Sequence, residues 1–327
     1  MEQYQSARKF GISIILLTLL FRLFEQGLPQ KLVMLAASYI PTDTETGQNV
    51  RSLSVESWIP VFVESPPPVE VTDEPPIPVF RESDAESLAL TNTGHQQADA
   101  ASLVTAPLDW HLAGEAPTVL IYHTHTTESY AKNGEMYTET AAYRTLDEHY
   151  NMLSIGDRVA ELLEAEGIRV IHDRELHDYP SYTGAYSHAR KSLQAFLLDN
   201  PSIQLILDLH RDAAEAGGKQ LRTHAAVGGQ DSSQLMLVLG TGNANLPNAH
   251  WEDNAALALK LQTVLEQQCP GITRPLSLRP QRFNQDLGPK AILVEVGAAG
   301  DTHEAALLAA QELAEAIAIL KNGAVCG

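Results

Sequence analysis

The sequence contains little cysteine, and this shortage excludes one class of small secreted protein. Only Cys269 and Cys326 occur in 327 residues, too few for the disulfide framework on which cysteine-rich extracellular domains depend. Both lie near the ends of predicted helices, so a single bridge between them stays open. The chain must therefore obtain its stability mainly from a hydrophobic core.

The sequence is also poor in positive charge, which argues against nucleic acid as a partner. Lysine and arginine number 22 against 41 acidic residues, and the formal net charge is -19. Phosphate backbones are bound by clusters of Lys and Arg, and no such cluster occurs beyond the N-terminus. We therefore predict no nucleic-acid partner and attribute most of the acidity to solubility.

A third shortage concerns long apolar runs. Arg8 and Lys9 precede an apolar run from Phe10 to Phe21, which Arg22 interrupts. A spanning helix needs about 20 apolar residues, but an arginine near its end can reach the headgroups. We predict an uncleaved signal anchor over residues 1–40, in preference to a cleaved signal peptide. Because the basic residues precede the run, we expect a single-pass cell-membrane protein with the rest of the chain outside the cytoplasm.

Residues 41–116 differ in composition from the remainder of the chain. They are rich in Pro, Glu, Asp, Ser and Thr, with prolines adjacent at 66–68 and 75–76. Prolines favour extended polyproline geometry, and the acidic side chains repel one another. We predict an extracytoplasmic spacer here rather than a folded domain.

Strand and helix patterns alternate through residues 117–327, which are numerous enough for one domain. Apolar runs predict strands near 118–121, 168–171, 203–207, 224–227, 235–239, 276–283 and 291–296. Helical spacing predicts helices over 151–166, 182–198, 251–268 and 302–320. This alternation predicts an α/β layered domain with a mostly parallel sheet flanked by helices. The strand pair around Gly228-Gly229 favours a mixed sheet.

Three predicted strands end in histidine or acidic residues. The sequences at these ends are Tyr122-His123-Thr124-His125-Thr126-Thr127-Glu128-Ser129, Asp208-Leu209-His210-Arg211-Asp212 and Glu295-Val296-Gly297. The carboxyl ends of parallel strands meet at one edge of a sheet, where α/β proteins place their chemistry. Histidine and glutamate are the ligands of catalytic zinc sites, so we predict Zn²⁺ at this edge.

The ligands are assigned with some alternatives open. His210 is the strongest candidate, because it ends a very apolar strand and has Asp208 nearby to orient the imidazole. His123 and His125 share one side of an extended strand, so either or both can bind the ion. Glu128 is the nearest carboxylate and the third predicted ligand, although it can instead bond the amides of its own turn.

Other residues are predicted to act on the substrate. Glu295 ends the last core strand and is the predicted general acid/base. Arg211 is expected to bind a substrate carboxylate or the developing oxyanion, with Asp212 beside it. Asn284 lies in a turn that is also a candidate substrate clamp. The remaining histidines, including His177, are expected to be surface or capping residues.

The motifs together resemble a known family. With Leu239-Gly240-Thr241-Gly242-Asn243 and Asn284-Gln285-Asp286-Leu287, they resemble the stage II sporulation protein P family of peptidoglycan hydrolases, in order, through nearly all of residues 117–320. That family is related to zinc-dependent N-acetylmuramoyl-L-alanine amidases. The resemblance implies cleavage of the amide between the glycan and the stem peptide, outside the cytoplasmic membrane. It leaves accessory endopeptidase activity open. Peptidoglycan is the expected partner, and binding of other membrane-bound wall-remodelling proteins through the spacer also stays open.

Two other functions compete with the zinc amidase. One is a non-catalytic wall-binding or scaffold protein on the same fold, and a weaker one is a zinc carboxypeptidase that acts on free peptides. The sequence favours an enzyme, because a binding module has no need for an ionisable carboxylate such as Glu295 at a strand end.

Overall fold

The computed structural model describes residues 77–134, 136–141 and 143–327. The predicted anchor and residues 41–76 of the predicted spacer lie outside these ranges. Among the residues that are described, no helix combines the length and the apolar character that crossing a membrane requires.

The secondary-structure elements follow one another along the chain with short connections. The strands are β1 (Val79–Phe80), β2 (Leu90–Asn92), β3 (Val119–Tyr122), β4 (Glu139–Ala141), β5 (Arg144–Thr145), β6 (Val170–His172), β7 (Leu205–Asp212), β8 (Glu215–Ala216), β9 (Lys219–Gln220), β10 (Ala225–Val227), β11 (Gln230–Ser232), β12 (Leu235–Gly240), β13 (Leu276–Arg279), β14 (Ala291–Ala298) and β15 (Val325–Cys326). The α-helices are α1 (Ala100–Thr105), α2 (Met152–Ala165), α3 (Ala185–Asp199), α4 (Trp251–Gln268) and α5 (His303–Ile319), and 3₁₀ turns span Glu82–Ser87 and Gln285–Leu287.

A seven-stranded sheet with the order β2-β13-β12-β14-β7-β3-β6 forms the centre. Five of its six neighbouring pairs are parallel, and only β12 and β14 run antiparallel. The prediction of a mixed, mostly parallel sheet is therefore confirmed. The strand pair near Gly228-Gly229 is not its cause, because β10 and β11 form a separate hairpin. Both glycines have positive φ, as a tight hairpin turn requires.

Alternate residues of the central strands face opposite sides of the sheet. On β3, Ile121 packs into the larger core cluster with α2, α4 and α5, whereas Tyr122 packs into a smaller cluster with α3. On β7, Leu209 faces the larger cluster and Ile206 the smaller one. Helices thus cover both faces, and the four helices predicted beyond residue 117 are confirmed to within three residues at each end.

Residues 77–116, which the sequence assigned to the spacer, form part of the folded unit. β2 pairs with β13 at the sheet edge, and β1 pairs with β15. Lys260 of α4 is buried, lies 5.5 Å from the centre of the Phe80 ring, and donates to the carbonyl of Leu103 at 3.3 Å. The boundary predicted at 117 therefore falls inside the folded unit. Because the composition is acidic and proline-rich, the sequence analysis did not recognise the few apolar side chains, such as Val104, that are buried here.

The two cysteines do not pair. Cys269 is buried at the end of α4, and Cys326 is exposed on β15. Both are free thiols, which answers the question that the sequence left open.

Candidate active site

The three strands that end in chemically active residues are neighbours in the order β14-β7-β3. In the strand register Glu295 lies beside His210, and Asp208 lies beside Tyr122. Paired strands are about 4.8 Å apart. The sheet therefore brings the three predicted motifs together at one edge, as the sequence analysis expected.

His210 is held between two carboxylates. It follows Ile206 and Asp208 at steps of two, which directs it to the α3 side of the sheet. Asp208 Oδ1 is 2.8 Å from His210 Nε2, without the angle of a hydrogen bond, and Glu128 Oε2 is 3.5 Å from Nδ1. Burial favours the neutral ring, but the two carboxylates outweigh it and raise the pKa of His210 well above its usual value.

Asp208 joins the ends of β7 and β3. Its carboxylate accepts hydrogen bonds from the Thr124 backbone N–H at 2.9 Å and from Thr124 Oγ1 at 2.7 Å. Because these bonds fix the carboxylate, Asp208 can orient the His210 imidazole from outside, as predicted for this residue.

His125 lies on the same side as His210. The two ring centres are 5.2 Å apart, and the His125 ring stacks on Tyr182 with 4.4 Å between centres. Burial lowers the pKa of His125 to about 4, so the ring is neutral at pH 7. Its Nδ1 is buried and has no hydrogen-bond partner among the described residues.

His123 is directed away from this group. It packs on the α2 side, where Nδ1 is 3.0 Å from the Leu209 carbonyl and Nε2 is 2.8 Å from His172 Nε2. The two histidines do not share one side, because β3 ends at Tyr122 and the chain then turns. The structure thus brings His125, and not His123, to His210.

Glu128 is held in its ionised form. Its Oε1 lies 3.2 Å from Arg144 Nη2 and 3.6 Å from Arg211 Nη1, and Oε2 accepts from the Arg211 backbone N–H at 3.3 Å. Burial alone would raise its pKa, but Arg211 and His210 together lower the pKa of Glu128 far below its usual value. The carboxylate is therefore ionised near neutral pH.

Glu295 has the opposite electrostatic environment. The side chain is buried, and Oε2 has no hydrogen-bond partner in the described part of the chain. Burial, reinforced by Glu128 and opposed by His210, raises the pKa of Glu295 to about 7. β14 continues past it through a bulge at Gly297, where φ is 73° and a Cβ would clash with Ser233.

The three residues predicted to bind substrate are engaged with protein groups. Arg211 is buried and donates from Nε to the Ser129 carbonyl and from Nη2 to the Tyr143 carbonyl, each at 2.9 Å. Asp212 pairs with Arg274 at 2.7 Å. Asn284 has a left-handed backbone and donates to the Tyr186 carbonyl at 2.9 Å.

Several residues around the edge were not singled out from the sequence. Tyr182 covers His125 and contacts Arg144, whose guanidinium is 4.8 Å from the centre of the Tyr182 ring. The sequence signal for Tyr182 was its spacing of four residues from Tyr186, which lies in the first turn of α3. His177 was expected at the surface but is buried, and its donor atom lies within 4.8 Å of donors on Asp173 and Glu175. These three residues are a candidate metal-binding group.

The residue types at the strand ends match those that hold zinc, although among the described residues only Asp173, Glu175 and His177 have ligand atoms that all lie within 4.8 Å of one another. Two imidazoles and one carboxylate, from His125, His210 and Glu128, form a donor set of catalytic zinc sites, which keep a fourth position open. The unpartnered Nδ1 of His125 and Oε2 of Glu295 are buried polar atoms, which normally have partners. A metal ion at the first and a water molecule at the second would satisfy both.

Comparison with solved structures finds cell-wall amidases at low similarity. N-acetylmuramoyl-L-alanine amidase AmiC2 of Nostoc punctiforme is 18% identical, with 64% of this chain and 98% of that chain covered and a TM-score of 0.36. The CwlD amidase from Clostridioides difficile, in complex with the GerS lipoprotein, is 16% identical, with 62% and 95% covered and a TM-score of 0.36. These matches are weak, and the family assignment rests on sequence.

Sequence comparison is more specific. Stage II sporulation protein P of Bacillus subtilis (strain 168) is 27% identical over 215 residues, which cover 62% of this chain and 50% of that protein. The chain thus spans about half the length of this curated relative. A sequence profile of the family described as stage II sporulation protein P (SpoIIP) matches residues 36–318, which is most of the chain. The chain therefore belongs to the stage II sporulation protein P family.

Proposed function

We propose that this chain is a zinc-dependent peptidoglycan hydrolase that cleaves the amide between N-acetylmuramic acid and the L-alanine of the stem peptide. The observation that carries the proposal is the convergence of His125, Glu128, His210 and Glu295 at one sheet edge, in a chain of this family. Hydrolysis of an unactivated amide needs a polarised carbonyl, an attacking water and a proton acceptor. These four residues supply the groups for all three.

In this proposal His125, Glu128 and His210 hold the zinc ion. Zinc bound in this way lowers the pKa of a water molecule to about 7 and polarises a carbonyl oxygen. The neutral His125 ring offers a lone pair on its unpartnered Nδ1. Asp208 contacts His210 at Nε2, so Nδ1, which is 3.5 Å from Glu128 Oε2, would be the atom of His210 that holds the ion.

Glu295 acts as the general base and then as the general acid. Its Oε2 takes a proton from the attacking water and gives it to the amide nitrogen as the C–N bond breaks. A pKa of about 7 suits both steps near neutral pH, because the carboxyl group then accepts and releases a proton with similar ease.

Arg211 has a supporting part in this proposal. Its backbone and guanidinium contact Glu128 and fix the turn around Ser129, so we assign it the positioning of Glu128. Asp212 and Asn284 stay predicted contacts of the substrate. Accessory endopeptidase activity also stays a prediction from the family resemblance.

A non-catalytic wall-binding protein explains the site less well. Glu295 is buried without a hydrogen-bond partner for Oε2, an arrangement that lowers stability. A binding module gains nothing from that arrangement, whereas a general base requires it.

We further propose that the domain works outside the cytoplasm, tethered by the anchor over residues 1–40. The support is the basic start and apolar run in the sequence, together with the family assignment. Protease added to wall-stripped cells should degrade the folded unit if this orientation is correct. Digestion of the folded unit only after the membrane is permeabilised would show the opposite orientation.

The proposed function is tested with the full-length chain in detergent and purified peptidoglycan. Release of soluble fragments should stop when a chelator removes the metal and should resume with added zinc. His210→Ala should release nothing under any condition. Hydrolysis by protein free of transition metal would contradict the zinc mechanism, and zinc-loaded protein that binds the wall without cleaving it would support the scaffold function.

A further inference from the structure

The loop that follows β6 packs against residues 123–129, which carry the proposed ligands His125 and Glu128 and are called the catalytic loop here. This support loop, residues 173–178, begins directly after His172. Thr126 Oγ1 donates to the Glu175 carbonyl at 2.8 Å, and Asp178 accepts from the Thr127 backbone N–H at 3.1 Å. The position of His125 and Glu128 therefore depends on how firmly the support loop is held.

Three potential metal ligands converge within the support loop. His177 Nε2 is 2.9 Å from Asp173 Oδ2, and Nδ1 of the same ring is 3.9 Å from Glu175 Oε2. The His177 side chain is 0% exposed, and Glu175 is fixed by a hydrogen bond of 2.8 Å from Ser192 Oγ. None of these three residues is among those proposed to hold the catalytic ion.

The contact with Asp173 uses one ring nitrogen of His177 and leaves the other without a hydrogen-bond partner among the described residues. Asp173 is an acceptor, so the 2.9 Å contact requires the ring proton on Nε2. A neutral ring then has a lone pair on Nδ1, which is buried and has no hydrogen-bond partner among the described residues. This lone pair faces the Glu175 carboxylate, which is also an acceptor. A cation between the buried lone pair of His177 and the exposed Glu175 carboxylate would satisfy both acceptors.

We propose that His177, through Nδ1, and Glu175 bind a second divalent cation of the zinc class, separate from the catalytic ion, while Asp173 orients the His177 ring through Nε2. An imidazole ligand suits Zn²⁺ better than Mg²⁺ or Ca²⁺, which take oxygen ligands. The ion would join Glu175 to His177 and so stiffen the support loop. Its role is structural, since it holds the surface on which the catalytic loop rests.

The test is the number of zinc ions retained per full-length chain in detergent after equilibrium dialysis against zinc chloride, measured by elemental analysis. The wild type should retain two ions. His177→Ala and His210→Ala should each retain one, and the double variant none. His149→Ala is the matched control, because His149 also pairs with an aspartate, Asp147 at 3.0 Å, but is exposed. It should retain both ions.

The outcomes separate this proposal from the proposed function. If the wild type retains one ion that is lost in His210→Ala and kept in His177→Ala, the second site does not exist and His177 carries only a proton. If the one ion is lost in His177→Ala and kept in His210→Ala, the support-loop site stands and the catalytic site fails.

A second variant guards against loss of the fold in His177→Ala. Glu175 has a 63% exposed side chain, so Glu175→Gln should leave the fold intact. Its affinity for the second ion should fall by about 10–100-fold or more, because even the loss of a partner outside the ligand set typically costs that much. Unchanged affinity would overturn the assignment of Glu175 as a ligand.

Discussion

At the scale of single residues, two glutamates at the same sheet edge have opposite acidities. Glu128 is kept ionised by Arg211 and His210 against the effect of burial, whereas burial dominates at Glu295 and raises its pKa to about 7. Carboxylates whose environments drive their pKa values apart are suited to different tasks. The charged one suits a metal ion, and the one that titrates near neutrality suits proton transfer.

The first prediction separates these tasks. Glu295→Gln should retain zinc and lose hydrolysis by about 10²–10⁴-fold, the usual contribution of general acid/base catalysis. Glu128→Gln should instead lose much of its zinc, because a neutral amide attracts the ion less strongly than a carboxylate. Zinc content and turnover on wall fragments measure both. If Glu295→Gln is metal-free while Glu128→Gln keeps its zinc, the roles must be exchanged.

The second prediction concerns stability and its dependence on pH. The folded protein raises the pKa of Glu295 from 4.5 to about 7, so between these values it binds more protons than the unfolded chain. Stability of the metal-free protein should therefore fall as pH rises through this window, by up to about 3 kcal/mol. Glu295→Gln should not lose stability in this window, and at pH 8 it should be more stable than the wild type.

Urea denaturation with chelator present, at pH 5 and pH 8, measures the effect. The variant and the wild type should differ little at pH 5. A variant that is less stable than the wild type at both pH values would show that the Glu295 carboxylate is not strained by burial.

At the residue scale, the sequence predicted which residues meet at the sheet edge but could not decide between His123 and His125. His125, Glu128, His210 and Glu295 were all expected at the edge. The choice between His123 and His125 depends on whether β3 continues past Tyr122, and hydrophobic alternation carries no signal once the strand ends. Burial of His177 depends on a tertiary contact and has no local signature.

At the scale of elements, α2 is fitted closely to the His123–His172 pair. A Cβ on Gly156 would lie 2.7 Å from His123 Nε2 and closer still to His172 Nε2. Glycine in a helix normally costs about 1 kcal/mol relative to alanine. Its presence here is explained by the space that the two imidazoles occupy.

The third prediction follows from this fit. Gly156→Ala should destabilise the protein by about 1–3 kcal/mol, the usual effect of overpacking, in place of the stabilisation expected for an exposed helical site. Glu164→Ala, at an exposed position of the same helix, should change stability by less than about 0.5 kcal/mol. Thermal denaturation compares the two. A stabilising effect of Gly156→Ala would show that the histidine pair is not rigidly placed.

The fourth prediction concerns where the folded unit begins. A chain that starts at residue 117 lacks the edge strand β2 and α1, and it uncovers the buried amine of Lys260. Since Phe80 and Val104 are buried too, the loss should exceed about 3 kcal/mol relative to a chain that starts at residue 72. Equal melting temperatures for the two chains would support the boundary at 117.

At this scale the sequence predicted regular elements well and pairings poorly. Helix periodicity located α2 to α5, because each has an apolar face that repeats over many residues. Short strands such as β1 and β2 have two or three residues and no repeat to detect. Their pairing partners are more than 180 residues away in the chain, a relation that no local pattern encodes.

At the scale of the whole molecule, an anchor and a spacer are expected before a folded unit that has one candidate active edge. Its acidic balance, with net charge -19, argues against a nucleic-acid surface but does not identify the substrate. In the proposed function the substrate class comes from the family assignment, and the chemistry comes from the four residues at the edge.

The central claim is that the chain hydrolyses the bond between N-acetylmuramic acid and L-alanine. The most direct measurement is the identity of the new amino termini formed when the zinc-loaded, full-length chain digests purified peptidoglycan. We predict that free amino groups appear on L-alanine, in step with fragment release, and do not appear with Glu295→Gln. New termini found only within the stem peptide, or none at all, would contradict this claim.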